Sequence, residues 1–198
     1  MRRYKIIGLT GPSGAGKSAA AEVFRELGYE ILDADGLSRM TLKRGSITLK
    51  MLQAAFGDDV ADENGEPDRR LIAERAFADK QSTELLNQIT HPSIYMFALA
   101  ELKRLIDSGK TRIVFDAPTL LDSNGQFICD AVVSVIAEPE IRLQRIIARD
   151  KLTREQAEKR ISAQHPDSFY IEQSDVVLYN NGDTQKLKDE IYRLFQEQ

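Results

Sequence analysis

The chain has 198 residues, 42% hydrophobic and 29% charged, the balance of a globular protein with length for one α/β domain and a modest insertion. A formal net charge of −4 argues against bulk binding to nucleic acid or an anionic membrane. Cys129 is the only cysteine, which excludes an intrachain disulfide and a thiolate-only metal site.

Arg2 and Arg3 precede an apolar run too short for a secretory signal, and no run approaches membrane-spanning length. A soluble, cytoplasmic protein is therefore expected. Tyr4 to Thr10 reads as a buried strand, and Ala19 to Leu27 as a helix with Val23, Phe24 and Leu27 at helical spacing. Between them lies Gly11-Pro12-Ser13-Gly14-Ala15-Gly16-Lys17-Ser18, the pattern G-x-x-x-x-G-K-S of a phosphate-binding loop. Glycines let such a loop turn tightly and bring its amides against phosphate oxygens, and the following helix offers its positive end to the same anion. Ser13, Gly14, Ala15, Gly16, Lys17 and Ser18 are the expected nucleotide-binding residues. Lys17 is expected on the β- and γ-phosphates of ATP, and Ser18 on a magnesium ion carried by the nucleotide.

Tyr29 to Leu32 reads as a second strand ending at Asp33-Ala34-Asp35, followed by a helix from Asp35 to about Lys43. The carboxyl ends of parallel strands line the ligand crevice, so Asp33 is a candidate to hold a substrate hydroxyl, with Arg39 on an anionic group of that substrate. On position alone a helix cap is an equal reading of Asp33 or Asp35. Residues 45–108 are dominated by helical patterns (Leu49 to Phe56, Arg69 to Phe77, Glu84 to Ile106) with a polar break from Gly57 to Asp68. They read as a helical insertion, either holding substrate or serving as a structural cap. His91-Pro92 within it reads as a turn or a buried polar contact.

Arg112 to Asp116 is a strand of apolar residues ending in a carboxylate that could contact magnesium or orient the acceptor. Ala131 to Ile136 is the next buried strand, and Cys129 before it reads as a small core residue. Pro139 and Glu140 open a helix with Leu143, Ile146 and Ile147 as its apolar stripe and Arg142, Arg145 and Arg149 beside it. The basic stretch fits either a solvated helical pair or a lid, residues 142–164, that brings arginines to the transferring phosphoryl group. Asp175 to Tyr179 gives a fifth strand, Asn180 to Asp183 a turn, and Thr184 to Phe195 a closing helix. The order predicts an α/β fold, a doubly wound parallel sheet of about five strands with phosphate-loop NTPase organisation, a helical insertion and a helical lid, all in one domain spanning 1–198. A GTPase would need an N-K-x-D motif, which is missing; a small-molecule kinase fits.

The motifs in order resemble the dephospho-coenzyme A kinase family. They are Gly8-Leu9-Thr10-Gly11, Asp33-Ala34-Asp35 with Arg39, Phe56-Gly57 with Gly65, Asp68-Arg69 and Phe77, and His91-Pro92. Asp116-Ala117-Pro118, Cys129-Asp130, Leu143-x-Arg145, Arg149-Asp150, Arg160-Ile161 to Gln164 and Asn180-x-Gly182 continue the series. The resemblance implies transfer of the γ-phosphoryl of ATP to the 3′-hydroxyl of dephospho-coenzyme A, the last step of coenzyme A biosynthesis. Small molecules are then the partners, and nothing in the pattern requires more than a monomer. In this reading Asp33 accepts the hydroxyl proton or orients the hydroxyl, Lys17 with Arg145 or Arg149 neutralises the phosphoryl oxygens, Arg39 and His91 face the acceptor, and Asp116 is a further substrate-site residue. Arg142 lies outside the family pattern. Departures are Pro12 and Ser13 in the loop, Thr119 and Asp122 where the family carries leucine and glutamate, and Pro67 before Asp68. A kinase for another acceptor and a nucleotide sensor without turnover are the other readings.

Overall fold

The computed structural model describes residues 6–196. Met1 to Lys5, and with them the start of the first predicted strand, lie outside the described residues. Two compact units divide the chain: Asp33–Ser108, and the segments on either side of it.

The flanking segments build the sheet. Its strands are β1 (Ile6–Thr10), β2 (Glu30–Asp33), β3 (Ile113–Asp116), β4 (Ala131–Ile136) and β5 (Val176–Tyr179), in the order β2-β3-β1-β4-β5. β1 runs parallel to β3 and β4, and β4 parallel to β5. The central strands are buried on both faces, which is why they read as continuous apolar runs rather than alternating ones. The register sets Leu9 beside Asp116 on one side and Val133 on the other. The last residue of β3 therefore stands level with the end of β1, where the phosphate loop begins.

Helices α1 (Lys17–Glu26) and α9 (Thr184–Phe195) contribute Ala20, Val23, Phe24, Leu187, Ile191 and Phe195 to a core shared with Ile7, Leu9, Val133, Val135 and Leu178. Phe24 sits edge-on to both Tyr29 and Phe195, with ring centroids 5.3 and 5.0 Å apart. Helices α6 (Pro139–Asp150), α7 (Arg154–Ser162) and α8 (Asp167–Glu172) follow β4. α7 starts at a full capping box, Thr153 with Gln156, and α6 packs on it through Leu143, Ile146 and Ala157. The six-residue α8 is too short to leave a periodic signal in the sequence.

The unit Asp33–Ser108 is helical: α2 (Ala34–Thr41), α3 (Ile47–Phe56), a 3₁₀ turn at Asp58–Val60, α4 (Arg69–Ala76) and α5 (Lys80–Asp107). Its core is Leu42, Leu49, Leu52, Val60, Ile72 and Ile89. Each start signal is a side chain in the sequence: Ser46 accepts from the Leu49 amide, Asp68 from Leu71 and Asp79 from Ser82. The polar break is a tight loop closed by Asp62, whose Oδ1 accepts from the amides of Asn64 and Glu66. Of the two readings of His91-Pro92, a turn or a buried polar contact, the turn does not form: both residues lie inside the 28-residue α5. Proline there forfeits one helix hydrogen bond, but Pro92 is exposed, so water can reach the carbonyl it leaves behind.

Candidate active site

The phosphate loop is held from outside by side chains that grip its carbonyls. Arg142 Nε donates to the Ser13 carbonyl at 3.1 Å. Arg145 Nη1 donates to those of Gly14 and Ala15, each at 3.2 Å. The Ala15 carbonyl also accepts from Asn180 Nδ2 at 2.8 Å. A trans peptide is planar, with its N–H opposite its C=O, and no described peptide is cis. Fixing the Ser13, Gly14 and Ala15 carbonyls on one side therefore turns the amides of Gly14, Ala15 and Gly16 away from these side chains; that of Ala15 bonds within the loop to Pro12. Gly16 then N-caps α1 with no side-chain cap, and no acidic residue occupies the first helical turn. That end is positive and unanswered by a carboxylate of its own helix.

Two glycines are dictated by this packing. Gly16 has φ +99°, and a Cβ there would overlap Asn180 Nδ2; Gly14 has φ +81°, and a Cβ would lie 2.7 Å from the Arg142 carbonyl. A larger residue would suffer both the left-handed backbone and a collision.

Lys17, in the first turn of α1, forms an ion pair with Asp116 at the end of β3; both side chains are largely buried, 18% and 13% exposed. Thr10 Oγ1 donates to the Pro118 carbonyl at 3.1 Å, tying the end of β1 to the turn after β3. Arg149, one turn beyond Arg145 on α6, reaches Ser13 Oγ at 3.4 Å and pairs with Asp150 at 2.8 Å. The hydrogen bond to Arg149 holds the Asp150 carboxyl below the usual range, and Asp150 raises Arg149 in return. Arg160 from α7 shares Asp150 at 2.8 Å. The loop is thus faced by four cations from α1 and α6, with carboxylates holding Lys17, Arg142 and Arg149.

In the helical unit Asp33 caps α2, its Oδ1 accepting from the Asp35 amide at 3.0 Å. Arg39 is exposed in the last turn of α2, and its carbonyl accepts from Arg69 at 3.1 Å. α2 packs on α5, which carries His91, half-buried. Among the described residues no group of three His, Cys, Asp or Glu side chains is placed to hold a metal, and no helix is long and apolar enough to cross a membrane.

The family model for dephospho-CoA kinase matches residues 5–186. The chain belongs to the dephospho-CoA kinase family. A dephospho-CoA kinase of Syntrophotalea carbinolica is 37% identical over 189 residues, which is 96% of this chain and 90% of that protein. Among solved structures, a Thermus thermophilus protein, TT1252, superposes with a TM-score of 0.81 at 28% identity, covering 99% of this chain and 98% of its own. A dephospho-CoA kinase from Campylobacter jejuni shares the fold, with a TM-score of 0.71 at 24% identity over 98% of this chain and 96% of that one. Membership makes the chain an ATP-using phosphotransferase of the phosphate-loop NTPase fold. Within this dephospho-CoA kinase chain, the structure gathers Ser13 to Ser18, Asp116, Arg145 and Arg149 in the sheet unit, and Asp33, Arg39 and His91 in the helical unit. The family pattern leaves Arg142 aside, yet it is buried against the loop. The available signal was its place on α6: it lies four residues before Ile146, at the edge of the apolar stripe, where a buried charge needs a partner.

Proposed function

We propose that this chain transfers the γ-phosphoryl group of ATP to the 3′-hydroxyl of dephospho-coenzyme A, giving coenzyme A and ADP. The observation that carries the proposal is the phosphate loop with its carbonyls held outward, followed by an uncapped helix and Lys17. That arrangement presents amides and a cation to phosphate oxygens. Ser13, Gly14, Ala15 and Gly16 would wrap the phosphates, and Lys17 would leave Asp116 to follow the γ-phosphoryl group. Arg145 and Arg149 would neutralise charge on the transferring oxygens from residues 142–164, acting as a lid. Residues 45–108 would hold the acceptor, with Arg39 and His91 on its anionic and polar groups. Asp33 would orient the hydroxyl and take its proton as the bond to phosphorus forms.

The donor set suits magnesium bound through the nucleotide: Ser18 offers a hydroxyl and Asp116 a carboxylate, both hard oxygen ligands. Such an ion would neutralise negative charge on the phosphates. We place the reaction in the cytoplasm, where ATP is supplied.

The test measures ADP release from Mg-ATP with dephospho-coenzyme A, AMP, shikimate or gluconate as acceptor. Release is expected only with dephospho-coenzyme A, with coenzyme A as product. Release with another acceptor instead overturns the substrate, and ATP binding with no release in any mixture favours a sensor. Asp33→Asn is expected to lower kcat by about 100-fold or more while ATP binding stays within about twofold. Retention of most of kcat would remove Asp33 from the role of base.

A further inference from the structure

Ser13 is gripped at both of its peptide groups. Its N–H donates to Gln164 Oε1 at 3.1 Å, and its carbonyl accepts from Arg142 Nε at 3.1 Å. Arg142 Nη2 donates to the same Gln164 oxygen at 2.9 Å, closing a ring of three hydrogen bonds. The remaining edge of the guanidinium donates through Nη1 to Asp167 at 3.0 Å. Arg142 is 3% exposed, and every one of its nitrogens has a partner. Burial lowers its pKa and the Asp167 carboxylate opposes that.

We propose that Arg142 and Gln164 are positioning residues that set the nucleotide-binding conformation of the phosphate loop by clamping Ser13. The proposal rests on the reading of that loop as the ATP phosphate site; Gln164 belongs to the motifs that carry the family resemblance, whereas Arg142 is no part of that pattern. Holding the peptide planes on both sides of Ser13 fixes its φ and ψ together. The Ser13 carbonyl, bound to Arg142, dictates where the Gly14 N–H points, because the two share one planar trans amide. A planar fork with donors along two edges can bind Ser13, Gln164 and Asp167 at once, which an ammonium point charge cannot match. The clamp also joins the loop to both ends of residues 142–164: Arg142 comes from α6, and Gln164 and Asp167 from the connection between α7 and the start of α8. A movement of that segment would reach both peptide groups of Ser13 through the clamp, beside the contacts that Arg145 makes to the Gly14 and Ala15 carbonyls.

The experiment measures Mg-ATP affinity by calorimetry and KM for both substrates in wild type, Arg142→Met, Arg142→Lys, Gln164→Ala and the double variant R142M/Q164A. Arg142→Met is expected to weaken Mg-ATP binding about tenfold or more, with KM for dephospho-coenzyme A within about twofold. Arg142→Lys should not rescue it. Because the two side chains act on one residue, the double variant should be no more than about twofold worse than Arg142→Met alone. Equal ATP affinity in wild type and variants, a parallel loss for both substrates, or fully additive effects would each overturn the clamp. Should Arg142→Met fail to fold, Gln164→Ala decides by the same split, since Gln164 is only partly buried. Wild type that does not bind Mg-ATP would instead overturn the reading of the loop itself.

Discussion

At the scale of single residues, environment separates side chains that composition alone treats alike. Cys129 stands just before β4 with its Sγ donating to the Gly125 carbonyl at 3.5 Å. Burial, with the Asp130 charge beside it, pushes its thiol up to about 12. Only the thiolate reacts with alkylating reagents, and a thiol shifted this far is almost wholly protonated at neutral and mildly basic pH. At pH 8 iodoacetamide should modify Cys129 in the folded protein about a thousandfold more slowly than in urea, where an ordinary thiol titrates near ~8.5. Equal rates in the two states would show that the thiol is not shielded. Arg142 and Arg149 make the same contrast among cations: one is buried and depressed, the other raised by Asp150.

At the scale of elements, the strands and most helices are legible in the sequence because their signals are local. β1, β3 and β4 are predominantly apolar runs, and the loop motif needs only its own eight residues. Boundaries shift where a cap decides them: the helix expected from Asp35 begins at Ala34 because Asp33 caps it, and that cap settles a local role for Asp33 without bearing on its chemistry. α5 begins earlier than its apolar pattern does, since Lys80 to Thr83 are polar and carry no stripe; Asp79 starts the helix instead. Hidden most completely is the contact of Arg142 with Ser13, 129 positions apart in the chain, because no spacing rule connects α6 to the loop. The proline in α5 offers a direct test at this scale. Pro92→Ala restores a hydrogen-bond donor at an exposed helical position and should raise stability by about 1–3 kcal/mol, read from urea unfolding followed by helical circular dichroism. Unchanged stability would mean that the surrounding helix already absorbs the proline without cost.

At the scale of the molecule, the chain's last helix is built into the sheet's core. Phe195 is 1% exposed and lies against Phe24 of α1, so α9 locks the helix that carries Lys17. Phe195→Ala should destabilise the sheet unit by about 3–5 kcal/mol through the cavity it opens. The measurement is the urea midpoint, with and without Mg-ATP; a loss below about 1 kcal/mol would show that α9 can collapse into the space. The Lys17–Asp116 pair has a consequence of another kind. A ligand approaching Lys17 meets a lysine already matched by a carboxylate of the protein's own, and it must outbid one negative charge to displace it. Acetate or chloride brings no more charge than Asp116 already supplies, whereas a polyphosphate brings several. With Lys17 as a phosphate ligand, as proposed above, the pair would favour multivalent anions over monovalent ones whatever their shape.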